Sequence, residues 1–295
     1  MMMSEPSARN GGKIGTLLAY TRRSEARGSE LVVYDRTRGA AEVVWSAADE
    51  DEPGASIEDV TLSADGRIVA FICAAGERGG AGLTIHPYAD LHLYDSLTRR
   101  RTRFGADGEL DPILATMPLM REIALSSNGE VIAFLAEKLR GFPGQADVFA
   151  FDRRAGLLSQ VNPVEISPCR NVVISGDGAS VFFTDAAERL HVHDLASGRT
   201  RALPITIPQA SDAYYSVSAD GRFVSFQSTG SGGAGEARLF DRRTGSVDGA
   251  CGGSAERSAG PTALGRSKSA ANSADEADLI PGRAVSLWRA ADALV

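Results

Sequence analysis

Three cysteines, three lysines and no long apolar run describe what this 295-residue chain does without. Cys73, Cys169 and Cys251 are odd in number and follow no spacing, so they provide neither a disulfide framework nor a zinc-type pair. A reduced, cytoplasmic setting is expected. The opening "MMMSEPSARNGGK" lacks the basic and apolar regions of a secretory signal, although a chain whose signal had been trimmed would start in the same way. No apolar stretch approaches the ~18 residues of a membrane span. Basic charge is nearly all arginine, the net charge is −7 and the pI is near 5.2, which argues against nucleic acid as the main partner. No GxSxG elbow is present, and the Gly-rich tract lacks the Lys-Ser or Lys-Thr ending of a phosphate loop. No cofactor and no metal are expected.

What is present is a repeated phrase. "LSADGRIVAF" (Leu62 to Phe71) returns as "LSSNGEVIAF" (Leu125 to Phe134), "ISGDGASVFF" (Ile174 to Phe183) and "VSADGRFVSF" (Val217 to Phe226). Each is an alternating apolar run, an Asp-Gly or Asn-Gly turn and a second apolar run, which is a hairpin signature. A second motif follows each hairpin and also opens the series: "LVVYDRTRG", "LHLYDSLTR", "VFAFDRRAG", "LHVHDLASG" and "RLFDRRTG". It reads as a third strand, a turn and a fourth strand. The aspartates closing the third strands, Asp35, Asp95, Asp152, Asp194 and Asp241, are spaced by 60, 57, 42 and 47 residues, a mean of 51.5. Four strands at this period make a propeller blade, and the length accommodates six.

The predicted fold class is therefore all-β: a six-bladed β-propeller of four-stranded antiparallel blades, the last degenerate. Residues 1–13 form a flexible N-terminus and 14–295 a single domain, with blades at about 14–50, 56–110, 118–163, 168–208, 212–252 and 256–295. The end units are the irregular ones, because a polar "SEPSARNGG" precedes the first hairpin and "ALGRSKSAA" replaces the last. Gly, Ser and Ala mark 228–238 and 248–278 as loops. Arginine clusters such as "TRRRTRF" fall on outer strands, where charge prevents edge-to-edge association.

A site in a ring of blades belongs near the central channel. Counting back from each hairpin Asp or Asn, Thr61, Ala124, Val173 and Ser216 stand four before it, and Asp59, Glu122, Asn171 and Tyr214 six before it. By strand alternation these share one face, expected to look into the channel. Leu62, Val60, Leu125, Ile123, Ile174, Val172, Val217 and Tyr215 share the other, expected between blades. One position further back stand Glu58, Arg121 and Arg170. The candidate ligand-binding rim is thus Glu58, Asp59, Arg121, Glu122, Arg170, Asn171 and Tyr214, where arginines would clamp a carboxylate and carboxylates an amine or a metal. No catalytic residue is assigned.

Other motifs read structurally. His191 and His193 lie at i and i+2 without a further nearby ligand, and His193 fills the aromatic position of Tyr34, Tyr94, Phe151 and Phe240. The recurring aspartates suit turn capping. Cys169 beside Arg170 would be a candidate thiolate only with a lowered pKa.

The phrases "SADGRIVAF" with "LHLYDSLTR", "SADGRFVSF" with "RLFDRRTG", and the tail "SADEADLIPG" resemble the TolB-like, or WD40-like, bacterial propeller repeats. That resemblance implies the fold and carries no catalytic residue with it. The function expected is recognition of a peptide, a protein or a small polar molecule at the channel mouth by a monomeric propeller. The alternative is a stand-alone propeller enzyme, such as a lyase, cyclase or hydrolase, acting on a small or peptide metabolite.

Overall fold

The structure, a computed structural model, describes residues 17–25, 27–49, 55–75, 88–104, 119–137, 145–208, 215–229 and 235–249. Five consecutive antiparallel blades occupy them, and the sixth unit at 256–295 lies outside the described residues. The first blade contains β1 (Leu17–Ser24), β2 (Gly28–Asp35) and β3 (Ala40–Ser46). The second is β4 (Ser56–Leu62), β5 (Ile68–Ala75), β6 (Tyr88–Asp95) and β7 (Arg100–Phe104); the third is β8 (Leu119–Leu125), β9 (Val131–Glu137), β10 (Ala146–Asp152) and β11 (Leu157–Gln160). The fourth is β12 (Arg170–Ile174), β13 (Ser180–Thr184), β14 (Arg189–Asp194) and β15 (Arg199–Thr206), and the fifth is β16 (Tyr215–Val217), β17 (Phe223–Thr229), β18 (Gly235–Asp241) and β19 (Ser246–Gly249). Strand order within each blade follows chain order, and one parallel pair, Ala89 with Leu119, stitches the second blade to the third. No helix among the described residues is long and apolar enough to cross a membrane.

Each predicted hairpin is present and built in one way. The Ser two residues before the Asp or Asn donates its hydroxyl to that side chain, and accepts the amide of the residue five positions after itself. The Asp or Asn oxygen also accepts the amide two residues on. The turn is thereby closed from both sides by side chains, which is why Ser-x-Asp/Asn-Gly recurs. Glycine is required at these turns for two reasons. Gly129 has φ +68°, and a Cβ there would lie 2.6 Å from Ile68 Cγ1 of the preceding blade. The turns also touch: Ala64 N donates to Ser127 O, Ser127 N to Gly176 O and Asp177 N to Ala219 O, each at 2.8 Å, forming a belt across four blades.

The aspartates closing the third strands cap their turns. The Oδ1 atoms of Asp35, Asp95 and Asp152 each accept the amides two and three residues on, Asp194 accepts that of Ser197, and Asp241 that of Arg243.

Apolar cores lie between successive blades rather than within them. Leu31, Val33 and Trp45 of the first blade meet Val69 and Phe71 of the second. Ile72, Leu91 and Leu93 of the second meet Ile123, Leu125, Ile132 and Phe134 of the third. Leu135, Val148 and Ala133 then meet Val172, Ile174, Val181 and Phe183, and Phe182, Leu190 and Val192 meet Tyr215, Val224 and Phe226. At about 1.5–3 kcal/mol for each large apolar side chain fully buried, these interfaces dominate the stability of the arc.

That stacking corrects one expectation. Val60, Leu62, Ile123, Leu125, Val172, Ile174, Tyr215 and Val217 do lie between blades, each facing the preceding one. Ala124 and Val173 of the other face also pack between blades, against the following one. A blade is a sheet sandwiched on both faces, so alternation sorts side chains between two neighbours, and only the edge of the innermost strand borders the channel.

Candidate functional site

The inner strands are irregular near their starts, the end of the channel opposite the turn belt. Register slips between Ile57 and Asp59 in β4, between Arg121 and Ala124 in β8, and between Arg170 and Val173 in β12. Each slip is a bulge that inserts a residue and rotates those before it. Glu122 and Asn171 sit in two of them with φ 52° and 55°, a left-handed conformation that costs about 1–2 kcal/mol for a residue with a Cβ.

The bulges are spanned by side chains from the neighbouring blade. Ile123 N donates to Asp59 Oδ2 at 3.1 Å, and Val172 N donates to Glu122 Oε2 at 3.2 Å. In both cases an acidic residue of one inner strand accepts an amide of the next, at the same place in the repeat. The third link changes chemistry: the hydroxyl of buried Tyr215 donates to Asn171 O at 2.5 Å. Burial first, and nearby Glu122 second, push the Tyr215 phenol well above its usual range, so it remains a donor.

The predicted rim residues are therefore distributed as follows. Asp59 and Glu122 reach the following blade. Asn171 donates through Nδ2 to Thr184 Oγ1 at 3.2 Å, while Thr184 Oγ1 itself donates to Arg170 O. Glu58 is exposed and accepts the Ser56 hydroxyl at 2.6 Å. Arg121, its side chain 41% exposed, pairs with Glu137 Oε1 at 2.5 Å. Arg170 is exposed at the head of β12. Tyr214 lies outside the described residues. The structure thus brings Asp59 to the Ile123 backbone and Glu122 to the Val172 backbone.

Cys169 does not have the character of a nucleophile. It is fully buried, its Sγ donates to Ile166 O at 2.7 Å, and burial, with Asp147 and Asp185 adding to it, pushes the thiol up to about 12. His193 takes the aromatic position and contacts the Thr200 hydroxyl through Nδ1 at 2.8 Å. His92 and His191 stack on Phe71 and Phe183 at 5.0 and 5.4 Å, as Phe149 does on Phe134. Among the described residues, no three His, Cys, Asp or Glu side chains converge in a way that could hold a metal ion.

One recurring feature escaped sequence reading. Five residues before the capping aspartate stand Glu30, Asp90, Asp147 and Glu236, and the first three are buried. Glu30 pairs with Arg22 at 2.6 Å, Asp90 with Arg103 at 2.5 Å, and Asp147 accepts Asn162 Nδ2 at 2.9 Å. In the fourth blade the place is taken by Arg189, which pairs with buried Asp185 at 2.7 Å, and His191 Nε2 contacts the same carboxylate at 2.9 Å. The signal is visible in the sequence as an acid at a fixed offset from four of the five third-strand aspartates.

No protein-family model matches the sequence, and no curated protein does. Solved structures do. The β-propeller domain of the trilobed protease from Pyrococcus furiosus superposes with a TM-score of 0.54 at 12% identity, over 84% of this chain and 70% of that one. A putative TolB from Agrobacterium tumefaciens gives 0.51 at 14% identity, over 82% and 79%. An oligogalacturonate lyase in complex with manganese gives 0.54 at 13%, over 81% of this chain and 63% of the lyase, so this chain spans less than two thirds of that enzyme. The fold is a β-propeller. Identity this low carries the fold and leaves function to the site.

Proposed function

We propose that this propeller is a binding module without chemistry of its own, recognising a peptide, a protein or a small polar molecule at the mouth of its central channel. The observation that carries the reading is how charged side chains divide their work at the starts of the inner strands. Asp59 and Glu122 hold amides of the following blade, whereas Glu58 and Arg170 are exposed and Arg121 is partly so. A carboxylate that anchors a neighbouring strand is poorly placed to move during a reaction cycle. Charged groups on a rigid, doubly tied frame suit recognition, because little ordering is required when a ligand arrives.

The test is native mass spectrometry of the protein incubated with mixtures of short peptides and polar metabolites, comparing wild type with the double variant Glu58→Arg/Arg170→Glu. The unfolding midpoint of the variant is measured alongside, so that loss of retention is read from folded protein only. A compound retained by wild type at unaltered mass and lost from the variant is the expected result. Retention indifferent to the exchange refutes a rim site, and recovery of a chemically altered compound refutes the non-catalytic reading.

A further inference from the structure

We propose that the end of the propeller carrying the turn belt docks on the surface of an anionic lipid bilayer, through arginines and leucines of the turns that join third strands to fourth. That end lies opposite the channel mouth, so the docking is independent of the binding reading above. The turns share one face because each is tied to the hairpin turn of its own blade. Ser96 N donates to Arg67 O, Arg153 N to Glu130 O, Leu195 N to Ala179 O and Arg242 N to Arg222 O, and the hairpins are themselves joined in the belt. The first blade follows the same plan, since Leu17 pairs with Asp35 as Ile68 pairs with Asp95.

Each of these turns presents an arginine to solvent: Arg36, Arg99, Arg154, Arg199 and Arg243, one from each described blade. None of the five forms an ion pair among the described residues, and the aspartates beside them are committed. Asp35, Asp95, Asp152, Asp194 and Asp241 accept amides of their own turns, and Asp95 and Asp241 also hold Arg67 and Arg222. The exposed acids of this end, Asp65, Asp177, Asp220 and Glu130, belong to the hairpin turns closer to the axis. The three aspartates are each held by a Ser hydroxyl and an amide of their own turn. The arginines thus form an outer arc around an acidic centre.

Apolar side chains stand among these arginines. Of the five exposed large apolar residues among the described ones, three lie in or directly after these turns: Leu97 at 75% exposure, Leu157 at 59% and Val247 at 39%. Leu97 and Leu157 belong to adjacent blades and stand two and three residues from Arg99 and Arg154. A convergent pocket is absent from this pattern, which spreads single cations over five turns with leucines between them. The complementary surface carries negative charge in a plane with hydrocarbon directly beneath it, which is an anionic bilayer interface. In a chain of net charge −7 the rest of the molecule is repelled from such a surface, so the arc also sets the orientation, with the channel mouth turned away from the lipid.

The experiment is sedimentation of the full chain with vesicles of phosphatidylcholine alone and of phosphatidylcholine with about 30% phosphatidylserine, at low and high salt. Wild type is expected to bind the anionic vesicles about tenfold or more tightly than the neutral ones, and the preference should collapse at high salt. Arg154→Gln/Arg243→Gln removes two charges from the arc and should weaken anionic binding about tenfold. Arg23→Glu makes the same change in net charge at the other end of the first blade, where Arg23 pairs with Ser29, and should leave binding within about twofold of wild type. Leu97→Ser/Leu157→Ser should weaken binding several-fold. Unfolding midpoints are measured alongside, so that every loss is read from folded protein. Equal binding to both vesicles, no binding at low salt, undiminished binding in Leu97→Ser/Leu157→Ser, or equal losses in Arg23→Glu and Arg154→Gln/Arg243→Gln overturns the proposal. Capture of soluble poly-glutamate without capture of vesicles overturns it too, in favour of an acidic protein partner. None of these outcomes bears on retention of a ligand at the mouth, which is tested separately above.

Discussion

Replacing His92 by phenylalanine should make the protein less sensitive to acid. His92 is buried on Phe71, and burial, reinforced by Arg101 and Arg103, pushes its pKa down to about 3 from an ordinary 6.5. A histidine depressed in the folded state is protonated first in the unfolded chain. It therefore costs nothing well above pH 6.5 and costs progressively more as pH falls toward the folded value. Between pH 7 and pH 5 the linkage amounts to about 2 kcal/mol, from 1.36 kcal/mol per unit over roughly 1.5 units. Phenylalanine suits the position because Phe149 occupies it in the third blade, stacked on Phe134 with ring centroids 6.0 Å apart. The assay is thermal unfolding of wild type and His92→Phe from about pH 8 to pH 4.5. Any packing penalty of the larger ring is a constant offset, so the diagnostic quantity is the change in the difference between them. For a chain of this length, 2 kcal/mol corresponds to a relative gain for the variant of about 3 °C at pH 5 over pH 7. A difference that stays flat across this range would refute the reasoning.

Two further predictions concern the turns. Gly129→Ala and Gly156→Ala both place a Cβ at positive φ, +68° and +64°, which costs about 1–2 kcal/mol, but only the first meets another blade, at Ile68, while the second has nothing within 4 Å. Gly129→Ala should lose about 1–3 kcal/mol more through overpacking, read from urea midpoints, and equal losses would contradict the close approach. Asp241 is held far below the usual carboxylate range by bidentate Arg222, at 3.0 and 2.7 Å, and by the Arg243 amide. Its stabilisation is fully present above the unfolded value near 3.8 and declines as pH falls from there toward the depressed folded value, so Asp241→Asn should be weaker than wild type in urea at neutral pH, with the gap narrowing steadily from about pH 4 to pH 2. A penalty independent of pH would assign the loss to the turn instead of the ion pair.

The repeat was legible because each of its letters does a local job. Ser63, Asp65 and Gly66 close a hairpin with their own atoms, as do Ser126, Asn128 and Gly129, so the phrase predicts the turn wherever it occurs. Asp35 and its counterparts cap turns two and three residues away, equally within reach of the sequence. The contacts between blades were harder to read. Asp59 and Ile123 are 64 residues apart, and Glu122 and Val172 are 50 apart. Nothing local announces that an acid will satisfy an amide at such a distance. Tyr215 illustrates the same difficulty: it was assigned to the apolar face, and its ring does lie there, but its hydroxyl makes the third link of the series.

The bulges explain why alternation succeeded for the core and misdirected the rim. From the turn back to Ile123 the period of two is unbroken, and every residue assigned to the preceding blade is found there. At Glu122 a residue is inserted and the phase reverses, so Arg121 pairs with Leu135 and faces forward instead of back. The irregularity also removes one amide from the ladder in the middle of a packed structure, and a buried unpaired amide costs about 1–3 kcal/mol. A single acid from the preceding blade answers that cost, and in doing so fixes how far the inner strands stand apart at the mouth. Strain at Glu122 and Asn171 and the forward-facing Arg121 are thus consequences of one insertion repeated from blade to blade. The same insertion that ties the blades together turns Arg121 toward the following blade, the side from which the Val172 amide reaches Glu122.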